Sequence, residues 1–215
     1  MKNNFSGSYE QICGRLDVIQ GLISKRAFSL SIGSKETRLA GINVDVDPRA
    51  HPEIVADAKF LPFKEQMFST VLFTDVIEHL PKSDETKALK EIYRVLCNRG
   101  NLILSTPNDK SLYTFLDLAR YVMTHRHYKK ERIQDLLESH GFHSEIMFTA
   151  GGFWAWLGNL YYCLIIYPIR KLGCVLIPNY RLSYTPSLIE TKINREYKIA
   201  TQDGYTIFIK ARKIE

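Results

Sequence analysis

The pattern of hydrophobic and polar positions between residues 68 and 108 predicts one complete βαβ unit. A β-branched, apolar run at 70–74 is typical of a strand buried on both faces, and a second such run follows at 102–105. Between them, apolar side chains recur at the spacing of an amphipathic helix: Leu89, Ile92, Tyr93 and Leu96. Polar residues follow both strands, at the edge where open α/β sheets bind their ligands.

The ends of this helix carry their own signals. Ser83 or Asp84 is expected to cap its first turn. Gly100 is expected to take the left-handed conformation just beyond its last turn.

The rest of the chain alternates helices with strands. Helices are predicted at 9–24 and 129–140, and further strands at 27–32, 42–46, 54–56, 144–149 and 205–212. Strands interleaved with helices predict an α/β fold, a three-layer, Rossmann-like and mostly parallel sheet. At 215 residues the chain fits one domain, residues 1–215, with an N-terminal helix at 1–25 and a hydrophobic helical insertion at 151–194 before the last strand.

The connection between the first two strands is unusually short. A parallel crossover that contains a helix needs about a dozen residues or more. Residues 34–41 span about 26 Å when fully extended, and they must run back along a strand about 17 Å long. They can do so only as an extended loop and not as a helix. The sequence therefore predicts a bare loop crossover.

Cysteine usage and charge indicate the cellular compartment of the protein and the kind of surface that it binds. The four cysteines stand apart with no CxxC pair, which favours a reducing, cytoplasmic compartment over a disulfide or zinc framework, and residues 1–25 lack the features of a signal peptide. The excess behind the net charge of +6 lies in residues 110–215, which hold 15 basic and 9 acidic side chains. That placement suits an anionic membrane surface better than nucleic acid, because no basic stripe with interleaved aromatics is present. The alternative is an ordinary surplus on a solvated surface.

Four stretches together resemble the class I S-adenosylmethionine (SAM)-dependent methyltransferases. They are DAKFLPF at 57–63, DVIEHL at 75–80, EIYRVL at 91–96 and YKKERIQDLLESHGF at 128–142. The resemblance implies a sheet with an antiparallel last strand, SAM as the cofactor, and methyl transfer to oxygen or nitrogen of a small, lipid-linked or glycan acceptor.

The resemblance also implies a set of cofactor-binding residues. Asp45 would accept both ribose hydroxyls, Asp57 the adenine amino group beside the Ala58 backbone, and Thr74 would face the methionine part. The first loop would contribute Ser31, Gly33 and Ser34, with Gly33 permitting close approach of the backbone. The alternative for the acidic residues, Asp47 included, is simple turn and cap chemistry.

The first loop departs from the family pattern. It carries one glycine where the family has two or three, and Lys35 stands where another glycine is usual. The rival hypothesis is therefore a non-catalytic methyltransferase-like module that lost its cofactor and scaffolds a membrane-associated complex. A nucleotide-dependent dehydrogenase is disfavoured, because the chain has no GxGxxG motif.

Two histidines are candidate bases for the acceptor proton. His79 follows the fourth strand at the mouth of the crevice, and His127 lies in the basic stretch before the late helix. In quinone-precursor O-methyltransferases, which the motif resembles, positions similar to Asp75, Glu78 and His79 are linked to a divalent metal. For Asp75, Glu78 and His79, the alternative is that the acids stabilise a helix N-terminus. For His127, the alternative is that it and His125 are surface histidines. Both alternatives remain open, and no metal is predicted.

Residues 151–169 contain no charged side chain and must be buried in something. One interpretation packs them on their own domain, over the sheet face left bare by the missing first helix. The favoured one places residues 151–178 in a membrane interface, as expected of a peripheral membrane protein at the inner membrane surface with a lipid-linked substrate.

Overall fold

A seven-stranded mixed sheet organises the part of the chain that the computed structural model describes, namely residues 13–23, 28–35, 38–114, 117, 126–169, 172 and 187–215. The strands are β1 (Ser29–Ile32), β2 (Ile42–Asp45), β3 (Ile54–Val55), β4 (Phe68–Thr74), β5 (Leu96–Pro107), β6 (Phe142–Ala150) and β7 (Thr206–Lys213). Their order is β3-β2-β1-β4-β5-β7-β6, and β7 runs antiparallel to both of its neighbours. The predicted α/β fold with an antiparallel last strand is confirmed.

Five helices cover the two faces of this sheet within the described residues. They are α1 (Cys13–Leu22), α2 (Lys82–Val95), α3 (Lys130–Glu138), α4 (Phe153–Tyr161) and α5 (Ser187–Tyr197). A π-helical turn, Tyr162–Ile166, continues α4 towards residue 169. Helices α2 and α3 pack on one face, whereas α1, α4 and α5 pack on the other.

The central strands supply both cores by simple alternation. In β4, Val71 and Phe73 join the core beneath α2 and α3, while Leu72 joins the opposite core. In β7, Ile207 and Phe208 divide in the same way. Because successive side chains of a strand point to opposite faces, a continuous apolar run is required wherever both faces are covered.

The connection between β1 and β2 contains no helix in its described residues, 33–35 and 38–41. The two strands nevertheless pair in parallel, with Leu30 opposite Ile42. The predicted bare loop crossover is confirmed for these residues, and residues 36 and 37 lie outside the described ones. The sheet face that such a helix would cover is instead packed by Ile19 of α1 and by Ile193 and Tyr197 of α5.

Both predicted ends of the βαβ helix are wrong. The N-cap of α2 is Pro81, with extended backbone and no side-chain cap, and Asp84 pairs instead with Lys59 and Lys87. Gly100 lies inside β5, because Leu96 turns directly from helix to extended backbone and pairs with Phe68 of β4. The helix thus passes into the strand at Leu96 without a left-handed residue, and the left-handed backbone falls at Arg99, with φ of +59°, not at Gly100.

The N-terminal helix and the insertion differ from their predicted bounds. Within the predicted 1–25, the structure describes a helix at Cys13–Leu22; residues 1–12, 24 and 25 lie outside the described residues. Within 151–194, two helices are described, and α5 extends to Tyr197 because its last residue is buried against the sheet. Residues 170–171 and 173–186 lie outside the described residues. The single-domain organisation stays a prediction.

Two glycines of α1 allow a matched test of how closely this helix packs against α5. A Cβ at Gly14 would lie 2.8 Å from the Asn194 Cα of α5, whereas a Cβ at Gly21 would have no heavy atom within 4 Å. We expect Gly14→Ala to destabilise the protein by about 1–3 kcal/mol through overpacking. Gly21→Ala is expected to stabilise it by up to about 1 kcal/mol through helix propensity. Urea unfolding measures both, and equal stability of the two variants would contradict the packing of α1 on α5.

Candidate active site

A cleft opens at the carboxyl ends of β1 and β4. The space between its walls is about 390 Å³, part of it open to solvent. Its walls come from α1, from the loop after β1 and from the end of β4: Leu16, Ile19, Ser31, Gly33, Ser34, Lys35, Leu39, Thr74 and Asp75. Four of the predicted cofactor residues, Ser31, Gly33, Ser34 and Thr74, therefore line one cleft.

Gly33 fixes the shape of the loop at the floor of this cleft. Its φ is +66°, and a Cβ there would lie 2.4 Å from Cγ2 of Val76. Its N–H donates to the Val44 carbonyl at 2.8 Å. The loop therefore tolerates glycine alone at this position, since both the left-handed backbone and the close approach exclude a side chain.

Asp45 ends β2 and is buried. Its carboxylate accepts the backbone N–H of Lys35 at 2.8 Å and that of Asp47 at 2.9 Å. It therefore holds the loops after β1 and β2 together, as the turn-chemistry alternative expects. A carboxylate offers about four acceptor sites, so these two bonds leave capacity for two hydroxyl groups. Asp45 lies outside the lining of the cleft, and its role as a ribose ligand stays a prediction.

Asp57 and Ala58 follow β3, one strand further out. Asp45 stands opposite Val55 in the parallel register, and Ala56 donates its N–H to the Asp45 carbonyl at 3.0 Å. The Asp57 carboxylate accepts the Lys59 N–H at 2.9 Å and is partly exposed. These residues also lie outside the cleft lining, along the open edge that extends from it.

Asp75 is the acidic residue of the cleft lining and has a left-handed backbone, with φ of +55°. Its carboxylate accepts the Ser105 hydroxyl at 3.0 Å and forms an ion pair with Arg15 of α1. Sequence analysis missed Arg15. The available signal was a lone charged residue in the apolar stripe of the predicted first helix.

The trio Asp75, Glu78 and His79 does not share one helical face. Asp75 precedes a 3-10 turn (Ile77–His79), Glu78 is 2% exposed and accepts the Thr106 hydroxyl at 3.2 Å, and His79 is exposed. The α-helix begins only at Lys82, so the predicted i, i+3, i+4 spacing does not apply. No group of three potential metal ligands is placed to hold an ion among the described residues. His79 does not line the cleft, and its catalytic role stays a prediction.

His127 belongs to a buried polar network at the ends of β5 and β7. Its side chain is fully buried, and Nε2 lies 3.3 Å from Oδ2 of Asp117, although the two atoms are not aligned for a hydrogen bond. Asp117 accepts the Tyr205 hydroxyl at 2.6 Å and the Asn159 amide at 2.5 Å. Nδ1 of His127 has no hydrogen-bond partner within the described part of the chain. Neither ring nitrogen has a hydrogen bond to a described residue, and a catalytic role is one of the explanations for such a buried polar group.

The residues on either side of His127 fix where it lies. Arg126 pairs with Glu85 and donates to the Ile77 carbonyl, and the Tyr128 hydroxyl donates to Glu85 at 2.7 Å. Burial, followed by the bond to Glu85, raises the pKa of Tyr128. The Tyr128 N–H also donates to the Pro107 carbonyl at 3.0 Å, so the segment lies beside the end of β5. Alternation in this extended segment turns His127 away from Glu85 and towards Asp117.

Cys163 lies at the border of the same network. It is not a nucleophile there. Its Sγ lies 3.6 Å from Oδ1 of Asn159. Burial, and then the negative charge of Asp117, raise the pKa of this thiol to about 11. Since the thiolate is the reactive form, Cys163 stays inert at neutral pH.

Comparison with known proteins agrees with this architecture. Residues 24–104 match the family model of a methyltransferase domain. A stretch of 60 residues is 43% identical to an uncharacterized protein of Methanocaldococcus jannaschii, covering 28% of this chain and 25% of that protein. The chain thus spans about a quarter of the curated relative that it matches.

Solved structures share the fold at low sequence identity. A SAM-dependent methyltransferase of Thermotoga maritima, described as a possible histamine N-methyltransferase, has a TM-score of 0.64 and 17% identity over 96% of this chain and 89% of its own. A SAM-dependent methyltransferase of Archaeoglobus fulgidus has a TM-score of 0.61 and 18% identity over 99% and 97%. The [4+2]-cyclase SpnF has a TM-score of 0.61 and 16% identity over 99% and 85%. Identities this low show the fold alone.

The Tyr205 hydroxyl can be removed to test the buried network. Tyr205→Phe leaves Asp117 and Asn159 each without one buried hydrogen bond, so we expect a loss of about 1–3 kcal/mol in unfolding free energy. Tyr161→Phe, on the half-buried part of α4, is the matched control and should stay within about 0.5 kcal/mol of wild type. Chemical denaturation measures both variants. Equal stabilities would refute a network centred on Asp117.

Proposed function

We propose that this chain is a SAM-dependent methyltransferase that transfers a methyl group to oxygen or nitrogen of a small, lipid-linked or glycan acceptor. The class I methyltransferase fold and the match of residues 24–104 to a methyltransferase domain model support this proposal. The observation that carries the proposal is the cleft between Gly33 and Asp75, at the carboxyl ends of adjacent parallel strands.

The residues around the cleft fit the chemistry of SAM. Gly33 keeps the floor of the cleft free of a side chain, and Thr74 and Asp75 provide polar groups at the end of β4. Asp45 retains acceptor sites for a ribose, and Asp57 lies further along the same edge for the adenine. When bound, SAM supplies a methyl group on a positively charged sulfur, which an in-line nucleophile displaces.

His127 is our candidate for the base that takes the acceptor proton. An oxygen or nitrogen nucleophile gives up a proton during methyl transfer, and a neutral imidazole can accept it. The Asp117 carboxylate beside Nε2 would stabilise the resulting imidazolium, and Asp117 is itself held by Tyr205 and Asn159. His79, exposed after β4, is the second candidate for this role.

The outward face of α4 and its continuation supports a lipid-facing acceptor site. Ala155, Gly158, Asn159, Cys163 and Ile166 are buried on the inner face. The opposite side leaves large apolar side chains 42–63% exposed: Phe153, Leu164, Ile165, Ile169 and Leu172. Complete burial of one such side chain gains about 1.5–3 kcal/mol, so a membrane interface would stabilise this face.

This contact is peripheral in our proposal. No helix among the described residues is both long and apolar enough to cross a membrane. The basic excess of residues 110–215 favours anionic lipid, as on an inner membrane surface, and a cytoplasmic location accompanies this proposal.

A second candidate function is a non-catalytic methyltransferase-like module that scaffolds a membrane-associated complex. The exposed Lys35 on the cleft wall and the complete burial of His127 favour it. Binding of S-adenosylhomocysteine, which SAM becomes after methyl transfer, separates the two proposals. A module that lost its cofactor site would not bind this ligand.

Isothermal calorimetry with S-adenosylhomocysteine tests the cofactor site. We expect wild-type binding at micromolar concentrations, weakened about 10- to 100-fold in Asp57→Ala through loss of a charge-assisted hydrogen bond to the adenine. Asp47→Ala is the matched control, because the Asp47 side chain is 39% exposed against 38% for Asp57 and bonds to Arg49. Absence of heat with wild-type protein at millimolar ligand would contradict the enzymatic proposal.

Vesicle flotation tests the lipid-facing surface. Wild-type protein is expected to float with phosphatidylcholine vesicles that contain phosphatidylglycerol. Ile165→Asp should reduce the floated fraction, because it puts a negative charge on the apolar face. Ile146→Asp on β6 is the control, since Ile146 is 43% exposed and Ile165 is 44% exposed. Protein that stays at the bottom with and without anionic lipid would exclude the membrane contact.

A further inference from the structure

Helix α5 carries three exposed cations on the side that faces away from the sheet. Lys192, Arg195 and Lys198 recur at every third residue, so they follow one another along one side of the helix and of the turn that ends it. None of the three forms an ion pair within the described part of the chain. The opposite side of the helix packs on the sheet through Ile193 and Tyr197. The three cations form the basic stripe of α5.

No exposed acid of α5 offsets these charges. Its two acidic residues, Glu190 and Glu196, are half-buried, and Glu190 has a partner of its own. The Glu196 carboxylate accepts the backbone N–H groups of Gly152, Trp154 and Ala155, each at 3.0 Å. The outward side of α5 is therefore positively charged.

The same contacts of Glu196 hold the first turn of α4 against α5. The carboxylate satisfies N–H groups that have no partner within α4, at the positive end of that helix. Beside it, Nζ of Lys192 lies 6.0 Å from the ring centroid of Trp154, and the Trp154 and Phe153 centroids are 5.5 Å apart. Since Phe153 belongs to the exposed apolar face of α4, the basic stripe and that face form one continuous surface.

An apolar face with a basic border matches a bilayer that contains anionic lipid. Apolar side chains enter the boundary of the acyl chains, and the cations are attracted to the negative headgroups. Leu188, one turn before Lys192, is 68% exposed and adds an apolar contact beside the stripe. A nucleic acid would use the cations alone, and a neutral bilayer would use the apolar side chains alone. An anionic bilayer uses both.

We infer that the basic stripe of α5 binds anionic lipid headgroups and sets the lipid preference of the contact proposed for α4. This inference rests on the proposed membrane contact and goes beyond it, because it assigns a second helix to the surface. Helix α4 also reaches Asp117 through the Asn159 amide. The pair of helices would therefore connect a bound membrane with the candidate acceptor site.

Vesicle sedimentation with the intact chain tests the stripe. Each cation near an anionic surface contributes about fivefold to partitioning, so Arg195→Gln/Lys198→Gln should weaken binding to vesicles with phosphatidylglycerol about 10- to 30-fold. Lys90→Gln/Arg132→Gln is the control with the same net charge, because these exposed cations lie on α2 and α3, across the sheet from α5. At about 0.1 M salt, charges that far from the surface are screened, and the control should stay within about twofold of wild type.

Wild-type binding should rise with the share of phosphatidylglycerol and fall with added salt, because salt screens exposed charges. Equal binding of the two double variants, or wild-type binding that is independent of headgroup charge, would overturn the stripe and leave the apolar contact of α4 standing. Retention on immobilised heparin without binding to any vesicle would overturn both and assign the stripe to a soluble polyanion.

The enzymatic proposal is tested separately. None of the four substituted residues lines the cleft, so both double variants should bind S-adenosylhomocysteine as wild type does. Loss of this binding in Arg195→Gln/Lys198→Gln would show a disturbed fold, and Lys192→Gln alone, with an expected loss of about fivefold on anionic vesicles, then decides the inference.

Discussion

The short connection between β1 and β2 is the constraint on which the rest of this structure depends. Its described residues contain no helix, yet the strands it joins are parallel neighbours in the sheet. One face of the sheet must then be covered by elements from far along the chain. Helix α1 and helices α4 and α5 supply that cover, with Ile19, Ile193 and Tyr197 packed over Leu72 and Phe208. The hydrophobic insertion is thus partly explained as the replacement for a missing crossover helix.

This substitution brings new side chains to the carboxyl edge of the sheet. Because α1 packs beside β1 and β4, Leu16 and Ile19 wall the cleft and Arg15 reaches Asp75. Because α4 packs beside β7, Asn159 reaches Asp117 and Tyr205. The edge therefore carries a cleft at β1 and β4, and a buried acid–imidazole pair at β5 and β7. In a methyltransferase, the cofactor would occupy one of these two places and the acceptor the other, at neighbouring strand ends.

The sequence predicts what depends on local pattern. The apolar run of β4 and the bare crossover follow from neighbouring residues, and the described residues agree with both. Gly100 was misplaced because β5 begins at Leu96, directly after the helix, and its pairing with Phe68 overrides the usual cap signal. The N-cap was predicted wrongly because the Asp84 carboxylate pairs with Lys59 of a different segment. Arg15 and Asp117 escaped because their partners lie in other elements, and no spacing along the chain records a contact of that range.

The central claim is that one ligand with an adenosine end and an amino-acid end occupies this edge of the sheet. A crystal structure of the protein grown with S-adenosylhomocysteine tests it most directly. We expect the ribose at Asp45, the adenine beside Asp57 and the amino-acid group between Gly33 and Asp75. Density for the ligand at any other surface, or an empty cleft at saturating ligand with α1 still paired to Asp75, would contradict it.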